Sequence, residues 1–409
     1  LKANPTADTL EAAKKAWLVA REPYGQTEVY RFRNSPVDAL DVEGDLNAWP
    51  LGEALIDYVK INNSDFGDNQ VGVTANDVVI NGGGAVTAEY ANNNPTDNII
   101  GNSSIVIDND LLDRSLSAED EHDVISGYHA IEFLLWGQDL NTTDQSTTDG
   151  TDRDQAVNMT EAGGQRPIED FISQTAGDSA DRRHQYLEVV VDKLISDLKK
   201  VQAQWAKNVE GNYRDTFTTI NGETDAKNKL TKILTGMGTL SEGELAGERI
   251  QIAFTTNSQE DEHSCFSDNT HRDIWLNAEG VSNSFYGSYA GYDSDLDGSD
   301  DVTDNAVEGY GIDDYLTDVG LTGIVEDTTA ALNLTETNYK AIDNSARNGQ
   351  PFDVLIMTKT EDSVVAKMVH SLSDQARLLQ TAASQLGLGN VVDEDASSCD
   401  TQDSTSVCE

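Results

Sequence analysis

Basic residues are scarce in this chain: 27 Lys and Arg stand against 73 Asp and Glu, a formal net charge of -46 over 409 residues. A surface so charged repels phosphate backbones and anionic headgroups, which excludes nucleic acid and acidic lipid as partners. It attracts cations, but acidity of this degree also serves solubility in salt and does not by itself argue for a metal. Long apolar runs are missing too. No stretch approaches the roughly 18 unbroken apolar residues of a membrane helix, and no signal peptide is visible in the polar stretch from Leu1, as expected of a mature or trimmed chain. Cysteine is nearly absent, with only Cys265, Cys399 and Cys408. The last two are close together in a polar tail, where a short disulfide loop is expected and would imply an oxidising compartment. Cys265 has no partner in its own segment and reads as a buried residue rather than a reactive one.

Most familiar catalytic signatures are also missing. There is no HExxH, the helical pair of histidines with an adjacent glutamate that serves zinc peptidases, and no HxxEH, because Phe133 follows Glu132. No GxxxxGK[ST] loop, no nucleophile elbow and no CxxC pair occurs, and Gly82-Gly83-Gly84 stands in no strand-to-helix context.

What is present is helical periodicity. Leu10, Ala13, Trp17, Ala20, Tyr24, Val29 and Phe32 recur at three-to-four spacing over residues 8–32. Tyr186, Val190, Leu194, Leu198, Val201 and Trp205 do so over 181–207, and Val365, Met368, Leu372, Leu379 and Ala382 over 363–386. Further helices are expected at 51–62, 107–136, 225–255 and 328–347. Strand-like alternation is rare, and its best example, Val71–Ile80, reads as a loop or local hairpin. The class is all-α, with long polar loops at 91–104, 141–165 and 291–304 and an acidic tail at 393–409. Glu119-Asp-Glu-His122 is echoed by Glu260-Asp-Glu-His263, each followed by a further histidine, His129 or His271. This predicts two helical bundles related by duplication, residues 1–212 and 213–392, with the break near 208–224 where Gly, Asn and Thr interrupt the pattern.

The strongest local signal is Gly127-Tyr-His129-Ala-Ile-Glu132, followed by Phe133-Leu-Leu-Trp136. Three apart on a helix, His129 and Glu132 share a face. They can grip one divalent or ferric ion, with iron or zinc as the expected cofactor, or form a buried hydrogen-bonded pair; left unsatisfied among such apolar neighbours they would cost about 1–3 kcal/mol. Arg21, Tyr24 and Glu28 form one stripe on the first helix, where Glu28 is a carboxylate ligand, the partner of Arg21, or part of a solvated polar face. Asp261, Glu262, His263, His271 and Asp273 are crowded into a short stretch. They are candidate ligands and supports, or the acidic first turn of a helix. The second repeat has Ile274 near the glutamate position, so one site is expected and not two. Separately, Asp293-Ser-Asp295-Leu-Asp297-Gly298 with Asp301 and Asp304 follows the pattern of a calcium loop, although Asp300 replaces the usual apolar residue and Asp304 is shorter than the usual glutamate.

The Gly127-x-His129-x-x-Glu132 motif resembles the GxHxxE signature of the imelysin-like family, and Gln259–Asp273 resembles its iron-regulated protein A branch. The opening helix with Arg21, Tyr24, Glu28 and Phe32 is similar to the family's first helix. The resemblance implies two duplicated helical bundles with the functional site at their junction. It implies export to the periplasm or outer membrane, often with a lipid anchor whose cysteine this sequence lacks, and a role in iron acquisition alongside other iron-uptake proteins. His129, Glu132, Glu28, His263 and His271 are then candidate metal ligands for an ion or a metal-bearing ligand, supported by Arg21, Tyr24, Asp261, Glu262 and Asp273. The alternatives are a metallopeptidase of the imelysin type, which needs a third ligand and a general base beside an open position, and a surface interaction protein whose His-Glu pair is structural.

Overall fold

The computed structural model describes residues 1–58, 98–115, 124–139, 163–259, 261–392 and 399–408. The chain is all-α. Its main helices are α1 (Ala7–Gly25), α2 (Gly127–Trp136), α3 (Ser179–Trp205), α4 (Glu223–Thr239), α5 (Thr270–Tyr286), α6 (Thr322–Arg347) and α7 (Val364–Gln385), with shorter turns of helix between them. The chain forms two compact units. The first comprises residues 1–17, 41–202 and 263–268, and the second 18–40, 203–262 and 269–409. No helix among the described residues is long and apolar enough to cross a membrane.

In the first unit, α3 buries Tyr186, Val190 and Leu194, successive members of its four-residue stripe. Tyr186 also donates its hydroxyl to the Ile125 carbonyl at 2.5 Å. Asp57 is buried between two guanidiniums, with Arg166 at 2.8 Å and Arg183 at 2.6 Å. Burial alone would raise its carboxyl, but the charges of Arg166 and Arg183 overcome that and hold it below the usual range. Short helices at Glu43–Leu46 and Glu53–Ile56 pack on α2.

In the second unit, α6 and α7 pack along each other, and α4 and α5 lie against this pair. One apolar cluster joins Phe254, Ile274, Ile342, Phe352, Met368 and Leu372. A second joins Leu234, Met237, Phe285, Leu316 and Leu379. Ser363 caps α7 by accepting the Ala366 amide at 3.1 Å, supplying one of the bonds a helix start lacks. The expected helix over 225–255 is helical throughout but changes gauge: α4 runs into a π-helical segment, Leu240–Gln251, and then an α-turn, Ile252–Thr256.

Other expectations shift in detail. The opening helix stops at Gly25, after Pro23, and a 3-10 turn at Glu28–Tyr30 follows. The span 107–136 is Asn109–Ser115 and α2, separated by residues that include an extended Ser126. Helix α5 begins inside the stretch offered as the acidic first turn of a helix, with Asp273 in that turn, and it continues on a regular buried stripe of Ile274, Ala278, Val281 and Phe285 that the sequence reading passed over. Two short strands, Ser288–Tyr289 and Val307–Glu308, pair antiparallel where no strand was expected. Val71–Ile80 and the tetrapeptide 119–122 lie outside the described residues. Cys265 is buried, and Cys399 and Cys408 are bridged.

Candidate functional site

Every residue of α2 is buried, so its polar members must find partners. The helix is admitted by Gly127. Its φ is +82°, and a Cβ there would sit 2.6 Å from the Leu46 carbonyl oxygen. Glycine alone takes both the left-handed backbone and the close approach. The indole of Trp17 then ties α1 to α2 by donating to the Tyr128 carbonyl at 2.9 Å.

His129 and Glu132, one turn apart, meet through Nδ1 and Oε2 at 2.9 Å, and neither is exposed. The other carboxylate oxygen of Glu132 accepts from the amide of Ser267 at 3.0 Å and from its hydroxyl at 2.6 Å. Where Nδ1–H of His129 donates to this carboxylate, the imidazole is oriented and Nε2 is left as its basic nitrogen. His263 lies beside it, ring centroids 4.6 Å apart and planes at 82°. Its Nε2 faces the Asn47 amide nitrogen at 3.3 Å. Trp49 closes the cluster edge-on, 5.0 Å from His129 and 5.6 Å from Phe266. Two imidazoles and a carboxylate form a donor set suited to a first-row transition ion such as iron or zinc.

More carboxylates lie in the same unit. Asp139 and Asp268 are buried and bring carboxylate oxygens within 4.8 Å of one another. Asp268 accepts the Gly163 amide at 2.9 Å. A cation is buried as well: Lys14 sits 5.2 Å above the Trp136 ring and 3.5 Å from the Gly164 carbonyl. Burial lowers its ammonium to about 8.

Of the residues read from sequence, His129, Glu132 and His263 come together. The remainder belong to the second unit, where ion pairs engage several of them. Arg21 is fully buried against Asp273 at 2.8 Å and stacks on Tyr24 at 5.3 Å. Glu28 is gripped by Arg249 at 2.7 Å, with Arg31 at 3.7 Å. Burial would raise its carboxyl, but Arg249 and then Arg31 outweigh that and hold it down at about 2. His271 faces Asp343 at 3.6 Å. Asp261 accepts the Thr256 hydroxyl at 2.9 Å, and Glu262 is fully buried. Sequence reasoning missed Asn47, Trp49, Ser267, Arg249 and Asp343. Ser267 stood within reach, inside the stretch that runs on from His263, but nothing in the sequence singled out Arg249.

The acidic loop of the second unit is the tip of the short hairpin, bridged at Tyr292 and Val302. Asp293, Asp295 and Asp297 each bring a carboxylate oxygen within 4.8 Å of the others. Asp293 is buried and accepts the amides of Leu296 and Gly298, both at 2.6 Å. Asp301 instead binds Ser294, through its amide at 2.6 Å and hydroxyl at 2.8 Å, while Asp304 is exposed. Strands rather than helices flank the loop.

Comparison with known proteins gives three findings. The model of the Imelysin family, which carries a peptidase designation (M75), matches residues 1–379. Iron-regulated protein A of Synechococcus elongatus is 45% identical over 47 residues, a match covering 12% of this chain and 13% of that protein. A crystal structure from Parabacteroides distasonis ATCC 8503, of a protein provisionally named an iron-regulated protein A precursor, aligns with a TM-score of 0.55 at 15% identity. It covers 94% of this chain and 85% of that one, a likeness of fold. With most of its length matched by the family model, this chain belongs to the imelysin family.

Proposed function

We propose that this protein is an exported iron-uptake component that binds a metal ion, or a ligand bearing one, at the cluster of His129, Glu132 and His263. One observation carries the reading: a buried carboxylate, fixed by Ser267, holds His129 through Nδ1 at 2.9 Å. Histidine ligands are oriented in this manner by a carboxylate behind them. His129 and His263 would hold the ion, and Glu132 would orient His129 or join as a ligand; the bound metal would supply a Lewis-acidic centre. Support comes from the two relatives named for iron regulation. Export is supported by the Cys399–Cys408 bridge, since such bonds persist in oxidising compartments. Calcium at Asp293, Asp295 and Asp297 would be structural, pinning the hairpin tip.

A second reading has its own observation. The Asn47–His263 and Ser267–Glu132–His129 contacts already form a hydrogen-bonded network, which a purely structural role would also require. Calorimetric titration with iron and with zinc separates the two, using the wild type and a His129→Ala/Glu132→Ala double variant. Saturable binding that is lost in the variant supports the metal site. No binding by the wild type, with a variant that is merely less stable, leaves the pair as structure.

A further inference from the structure

The second unit holds a half-open cavity of about 400 Å³, well within the range of small-molecule sites. Its walls are aromatic: Tyr30, Phe32, Trp205, Tyr213, Phe217 and Tyr289. Trp205 meets Tyr213 edge-on at 4.9 Å, and Tyr213 stacks with Phe217 at 5.4 Å and 19°. Tyr30 leans on Trp205 at 5.9 Å, yet remains 44% exposed. An aromatic surface left this open has room for another flat ring.

Two polar features make the cavity more than an apolar cleft. Lys232 lines it from α4, and its ammonium makes no ion pair or hydrogen bond among the described residues. Among the described residues no Asp or Glu joins it in the lining, although the chain carries 73 of them. The second is Ser35, a lining residue only 3% exposed, whose hydroxyl has no partner among the described residues. Serine before a helical turn normally caps it, but this one makes no such bond, so a buried hydroxyl is left for something in the cavity. A sugar is a poor match, since carboxylates that would grip its hydroxyls are missing from the lining and the Asn283 amide nitrogen already donates to Gln26 at 2.9 Å.

We infer that this cavity binds a small flat aromatic monoanion, an aryl carboxylate in chemical class, with its ring against the aromatic wall and its charge on Lys232 and Ser35. The inference is independent of the metal reading, because it rests on other residues.

The test is calorimetry with 1-naphthoate and its neutral counterpart 1-naphthylmethanol, on the wild type, Lys232→Met and Ser35→Ala. The Lys232 ammonium has no partner among the described residues, so Lys232→Met should fold normally, with a melting temperature unchanged within error. The wild type is expected to bind one naphthoate, and the alcohol roughly tenfold more weakly or worse, as loss of a charge-assisted hydrogen bond implies. Lys232→Met should lose that advantage for naphthoate while binding the alcohol as before, and Ser35→Ala should weaken both. Absence of saturable naphthoate binding, equal affinity for acid and alcohol, or a Lys232→Met variant that binds naphthoate like the wild type would each overturn the assignment.

Discussion

Glu28 offers the sharpest test of the electrostatic reasoning. Its carboxylate is 2% exposed and lies 2.7 Å from Arg249. Folding takes its carboxyl from the ordinary 4.5 down to about 2. That depression corresponds to roughly 3 kcal/mol of stability. Removing one member of a buried ion pair independently costs about 3–5 kcal/mol, because the partner charge stays buried and uncompensated. A Glu28→Gln variant should therefore lose about 3 kcal/mol at pH 7, or roughly 6–12 °C in melting temperature for a domain of ordinary size. The pH dependence follows from the sign of the shift. A depressed carboxyl contributes fully above its unfolded value near 4.5 and loses that contribution as the pH falls through its folded value near 2. At pH 3 the gap between wild type and variant should have shrunk to less than half of its value at pH 7. Urea unfolding at pH 7, 5, 4 and 3, followed by circular dichroism, measures that gap directly. A loss below about 1 kcal/mol at pH 7, or one that does not narrow on acidification, would refute the ion-pair account.

Three further outcomes are expected. Gly127→Ala forces a residue with Cβ into a φ of +82° and within 2.6 Å of the Leu46 carbonyl oxygen. It should cost about 2–4 kcal/mol from combined backbone strain and overpacking, and a melting temperature within a degree or two of wild type would contradict the packing described. Cys408→Ser opens a loop that Gln251 also holds, donating to the carbonyls of Asp400 and Asp403 at 3.0 Å and of Ser406 at 3.1 Å. Amide exchange should accelerate across 399–408 and stay unchanged in α7; protection that persists in the variant would mean that Gln251 suffices. Calcium at 10 mM should raise the melting temperature by a few degrees if the hairpin tip binds with a millimolar constant, a gain of about 1.4 kcal/mol. Asp293→Asn should abolish that rise, and an equal rise in both proteins would show only general screening of the acidic surface.

The sequence exposed those parts of the fold where a single period dominates. The stripe of α7 is buried as written, with Val365, Met368, Leu372, Leu379 and Ala382, whereas that of α3 is buried at Tyr186, Val190 and Leu194 and only half-buried at Leu198, Val201 and Trp205. Helix α5 keeps the same three-to-four spacing at Ile274, Ala278, Val281 and Phe285, so it was legible by the same rule although only its acidic start was read. The change of gauge at Leu240 is silent, since a π-helical turn keeps the same residue types as an α-helical one. At the candidate site, His129 and Glu132 were legible because three-residue spacing on an apolar helix leaves few alternatives. Ser267 and Asn47 were not, because each approaches the pair from a distant stretch of chain. The same limit explains Arg21 and Glu28. Read as one stripe they looked like partners, yet Arg21 is bound by Asp273 and Glu28 by Arg249, each more than two hundred residues away. Helical periodicity says which side chains share a face, whereas the charges that satisfy a buried face come from whichever element packs against it. That is why ligand and counter-ion roles for Glu28 could not be separated by spacing, and why its response to acid, and not its position in the sequence, is the property to measure.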